Sequence, residues 1–218
     1  MKKTISFLLV LAMFMAVTTP ASASASTDRL TVEKFQNHLE QVSKNDAKAL
    51  EELEKFNRMS NIEKSKLIAL LNDGELMNKV IKEASSDIIN SPKEKSFHNG
   101  DIKITKTITS TLNGNQSYTK EISTYGLNLT SLTLTVYFKY DPSNSVVTET
   151  LSANNTHWNI NPGLVITNEA NDHFVNGTLA QAWGNYNFYV TASGGFFNYT
   201  VTLNIQCDNE DVSGWLES

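Results

Sequence analysis

The chain has 218 residues, with 23 acidic and 18 basic side chains, a net charge of −5, and a single cysteine, Cys207. One cysteine excludes an internal disulfide framework, so stability has to come from buried apolar cores. Both arginines and most lysines precede residue 96; beyond it only Lys103, Lys106, Lys120 and Lys139 stand against ten carboxylates. Nucleic acid and anionic membrane surfaces call for a basic patch, which this half lacks, so neither is an expected partner.

Residues 1–25 open with Met1-Lys-Lys, continue through an apolar run from Phe7 to Val17, and end in Ala21-Ser-Ala-Ser-Ala25. That order describes a secretory signal peptide cut after Ala23 or Ala25. The apolar run is too short for a spanning helix, and no second run is long enough. The expected product is secreted and extracellular, without a transmembrane helix, in the manner of a bacterial export.

Residues 26–92 read as a small helical bundle. Val32, Phe35, Leu39 and Val42 are spaced as one helical face, and Leu50, Leu53 and Phe56 as a second. Ser60 followed by Glu63 matches a capping box before Leu67, Ile68, Leu70 and Leu71. Asn72-Asp-Gly74 closes that helix, and a fourth should run from Glu75 towards Ile88, ending at Ser91-Pro92. So short a unit is marginal by itself. It either leans on the β region or is a pro-segment, with Ser91–Ser96 as a protease-sensitive linker.

Residues 93–218 read as an all-β antiparallel sandwich, immunoglobulin-like in shape, so the fold class is α+β by segments. Asp101 to Thr111 alternates isoleucines with threonines and turns at Asn113-Gly114-Asn115 into Ser117–Ser123. The longest pattern is Leu132 to Tyr140, where Leu132, Leu134, Val136, Phe138 and Tyr140 alternate with polar positions. Further strands are expected over 145–152, 157–160, 164–167, 174–183 and 186–192, with a turn at Gly184-Asn185. Phe197 to Cys207 is the last of them.

Catalytic and metal signatures are missing from the sequence. There is no Gly-X-Ser-X-Gly elbow, no phosphate-binding glycine loop and no His-Glu-X-X-His, and His38, His98, His157 and His173 lie far apart. No cofactor or metal is therefore expected, and Asp208–Asp211 reads as a solvated acidic end rather than a calcium loop. Cys207 falls on an apolar strand face, where it serves as a small buried hydrophobe.

Aromatics crowd the last third of the chain, and adjacent pairs such as Phe188-Tyr189 and Phe196-Phe197 cannot place both rings on one side of a strand. Trp158, Trp183, Tyr186, Tyr189 and Phe196 are accordingly the candidate contact residues of a non-enzymatic binding module. Its ligand would be a glycan, a cell-envelope polymer or another protein. The alternative is a membrane-active toxin or antimicrobial protein restrained by residues 27–92, since Ile/Thr alternation resembles the hairpins of β-pore formers. Lys106 on the would-be lipid face opposes it. A hydrolase using two of the carboxylates Asp101, Glu121, Asp141, Glu149, Glu169 and Asp172 is a third reading.

Overall fold

The computed structural model describes residues 29–84, 93–111, 114–191, 197–208 and 211–217. The expected signal segment, the expected end of the fourth helix over 85–92, Asn113 of the hairpin turn, Ser193–Gly195 and Phe196 lie outside the described residues.

Among the described residues four helices come first: α1 Val32–Val42, α2 Ala47–Arg58, α3 Asn61–Leu71 and α4 Gly74–Ala84. The starts of the first three are set by side chains that accept otherwise orphaned backbone N–H groups. Thr31 Oγ1 accepts from Lys34 N, Asp46 Oδ1 from Lys48 N and Ala49 N, and Ser60 and Glu63 form the expected capping box in both directions. Asn72 ends α3 and also holds the entering chain, exchanging two hydrogen bonds with the Leu30 backbone. On α2 the buried face is Ala49, Glu52, Leu53 and Phe56, while Leu50 is 47% exposed. Leu50 thus leaves the expected face, displaced by the smaller Ala49 one position earlier.

The described residues then form nine strands, in two antiparallel sheets. The first holds β1 Glu94–Phe97, β2 Ile102–Thr111, β3 Asn115–Thr124, β4 Leu127–Asp141 and β5 Val146–Asn159, in that order. The second holds β6 Leu164–Asn176, β7 Leu179–Val190, β8 Phe197–Cys207 and β9 Val212–Glu217, again in order. Every hydrogen-bonded neighbour is the next strand in sequence, so each sheet is a meander. The Greek-key connections of an immunoglobulin domain are not among these pairings. At roughly 3.3 Å per residue the 15-residue β4 runs about 50 Å, and the Leu132–Tyr140 alternation lies within it.

Three features differ from the sequence expectation. First, β5 and β7 are each continuous. Gly184-Asn185 is no turn: Gly184 sits inside β7, where a Cβ would stand 2.7 Å from Asn155 Cβ and 3.2 Å from a Leu134 methyl. The glycine lets the two sheets approach; the bend lies at Gly177, whose φ of +64° suits glycine. Second, Glu94–Phe97 is paired with β2 as an edge strand, so this stretch is not a free linker. Third, β9 pairs with β8 after a turn in which Asp211 N donates to Asp208 Oδ1.

The inner faces of the sheets share one core, in which Leu134, Val136, Tyr118 and Phe138 meet Tyr186, Phe188, Leu203 and Ile205. Cys207 belongs to it, and burial beside Asp208 pushes its thiol pKa up to about 12. The helices contribute Leu70, Met77, Val80 and Ile81 to that core. A second cluster joins α1–α3 to Leu127 and Leu129 of β4 and to Ile160, through Phe35, Leu39, Phe56 and Leu67. Helices and sheets are therefore fused through shared apolar surface.

Candidate functional site

The five nominated aromatics fall in different environments. Trp158 is at the joint between helices and the first sheet: its indole Nε1 donates to Asp46 Oδ2 at 2.6 Å, and the Lys48 ammonium lies 4.3 Å from the ring centroid. The same ammonium reaches Glu121 Oε1 at 3.1 Å, and the buried Glu52 accepts from Asn128 N. The Trp158 hydrogen bond is the chief cause that holds the Asp46 carboxyl below its usual range. This ring is occupied in holding the helices.

Tyr186 lies deeper. It is wholly buried between the sheets, and its hydroxyl donates to the Thr133 carbonyl at 2.7 Å, with burial pushing the phenol pKa upward. It faces inward because Ala180, Ala182, Gly184, Tyr186, Phe188 and Val190 form the inner row of β7. No surface ligand reaches it. Phe196 lies outside the described residues.

Trp183 and Tyr189 take the opposite parity and stand on the outer face of the second sheet, Tyr189 with 38% of its surface exposed. Their separation in sequence corresponds to about 20 Å along the strand. Registration across the sheet shows what accompanies them. Trp183 pairs with Asn204 of β8, and Asn204 pairs with Trp215 of β9; on the other side Trp183 pairs with Asp172 of β6. Cross-strand partners on one face have Cβ atoms about 5 Å apart, so Asn204 lies between two indoles.

Asn204 is only 7% exposed, and its Nδ2 is buried with no hydrogen-bond partner among the described residues. Its neighbours on the same face are satisfied within the sheet. Asn187 Nδ2 donates to Glu169 Oε1 at 3.0 Å while its Oδ1 accepts from Thr200 at 2.6 Å, and Asn185 Oδ1 accepts from Thr202 at 2.8 Å. These bonds fix the side chains around the amide donor left over. A buried unpaired donor costs about 1–3 kcal/mol, so it calls for an explanation.

Charge sets a further limit. All four lysines beyond residue 96 lie on β2, β3 and β4, and residues 164–217 contain neither lysine nor arginine. An anionic ligand on this face would meet the carboxylates of Asp172 and Glu169 instead.

Sequence reasoning missed Asn204 and Trp215. Trp215 stands just beyond Asp208–Asp211, where acidic composition masks a strand signal, Val212 and Gly214 alternating with Ser213 and Trp215. Among the described residues no group of His, Cys, Asp and Glu is placed to hold a metal ion, and no helix is long and apolar enough to cross a membrane. No family model, no curated protein and no solved structure matches the chain.

Proposed function

We propose that the protein is an exported, non-enzymatic glycan-binding protein whose contact surface is the outer face of the second sheet. The observation that carries this reading is the row Trp183–Asn204–Trp215, two indoles flanking a buried amide whose Nδ2 has no partner among the described residues. Sugar rings offer apolar C–H faces that stack on indoles and polar groups that meet amides. Tyr189 extends the platform, and the Asn/Thr network around Glu169 holds it in one conformation before ligand arrives, which limits the ordering cost of binding.

The test is binding of neutral oligosaccharides and envelope polysaccharide to the full chain by calorimetry. Trp183→Ala and Trp215→Ala should each weaken binding about 30-fold, the order of a buried aromatic anchor, with far-UV dichroism unchanged. Trp158→Phe, at the helix joint, should leave affinity intact. Equal loss in all three variants would mean that global stability and not this face sets the binding.

A further inference from the structure

Resting on the glycan-binding reading, we infer that the site between Trp183 and Trp215 selects an N-acetylated amino sugar, whose acetamido carbonyl accepts a hydrogen bond from Asn204 Nδ2. Three observations narrow the ligand to that group. The first is the bonding capacity of the site. The unpartnered group is a donor, and the acceptor on the adjoining outward-facing pair, Asn185 Oδ1, already accepts from Thr202. A carbonyl oxygen meets that lone donor with its own lone pairs and brings no O–H that must in turn find an acceptor beside it.

The second observation is the surroundings. Asn204 is flanked on both sides by indoles, so a group that brings it an acceptor enters between apolar rings. An acetamido group couples its carbonyl to a methyl that fills this space. The third is charge. With no lysine or arginine in the sheet and Asp172 beside Trp183, a carboxylate or sulfate as the acceptor would be repelled. The acetamido N–H, at the rim, finds instead the acidic side on which Asp172 stands.

The experiment compares three β-1,4-linked oligosaccharides of equal length on the full chain: one of N-acetylglucosamine, its de-N-acetylated glucosamine form, and one of glucose. The expected result is that the acetylated oligomer binds about tenfold or more tighter than the glucose one, and that Asn204→Leu erases this preference. Because Asn204 Nδ2 bonds to none of the described residues, Asn204→Leu should keep or raise the thermal midpoint, which separates recognition from folding. Glucose binding as tight as N-acetylglucosamine overturns the acetamido inference and leaves the glycan reading in place. Tightest binding by the glucosamine oligomer overturns it too, assigning recognition to Asp172 and Glu169. Failure of every oligosaccharide to bind the folded chain overturns both.

Discussion

Gly214→Ala is a sharp test of how β9 is held against the sheets. Gly214 precedes Trp215 and faces inward, pairing with Ile205. A Cβ built there stands 2.4, 2.5 and 2.7 Å from Cγ, Cδ1 and Cδ2 of Tyr118, a ring with no exposed surface. Gly214 has no positive φ, so backbone preference alone would make alanine stabilising by about 0.4–1 kcal/mol. The contact decides the sign. Relief needs a shift of about 1 Å by either the edge strand or a packed ring, and such overpacking costs about 1–3 kcal/mol. The net expectation is destabilisation by about 1–2 kcal/mol in urea unfolding, with an unchanged slope. On the proposed glycan-binding reading affinity should fall as well, because a displaced β9 carries Trp215 out of line with Asn204. In a Tyr118→Leu background the same substitution should cost markedly less, a coupling that a double-mutant cycle reads directly. A Gly214→Ala protein as stable as the parent would refute the packing argument.

Two more predictions concern the helices. The Asp46 carboxyl, held low mainly by the Trp158 indole, should stabilise the helix joint above the unfolded carboxylate pKa of about 4 and cease to do so as pH falls through its lower folded value. Protease sensitivity of α1–α2 should therefore rise in acid, and Asp46→Asn should flatten that dependence; an identical profile in the variant would count against the assignment. A chain starting at residue 93 should be poorly folded. Uncovering Leu127, Leu129 and Ile160 forfeits about 1.5–3 kcal/mol each, together comparable with the whole stability of a domain. Strong binding of a hydrophobic dye by that fragment is expected; a cooperative, dye-silent fragment would refute this and favour the pro-segment reading of residues 27–92.

The helices and long strands were legible in the sequence because their signals are local. The Ser60/Glu63 box and the Leu132–Tyr140 alternation need no knowledge of neighbours. What escaped depends on pairing. Reading Gly184-Asn185 as a turn breaks β7 in two and loses its parity, and with it the fact that Trp183 and Tyr189 face out while Tyr186 faces in. Whether a glycine breaks a strand or relieves a crowded interior depends on Asn155 and Leu134, residues of the other sheet. The edge strands β1 and β9 are short, and their partners rather than their compositions make them strands. Asn204 carried no sequence signal, since an asparagine on the outer face of a strand is ordinary until an indole stands on each side of it.

The meander order has a kinetic consequence. Because each strand pairs with its successor, the hydrogen-bonded ladders close through short loops, and hairpins can zip in sequence at little entropic cost. The slow events are those that join distant parts: one sheet settling on the other, and Asp46 meeting Trp158 across 112 residues. Helix docking is expected late in folding, so a Trp158→Phe chain should unfold faster while its refolding rate stays nearly unchanged. The proposed contact face, carried by the β6–β9 meander, closes through such local pairings.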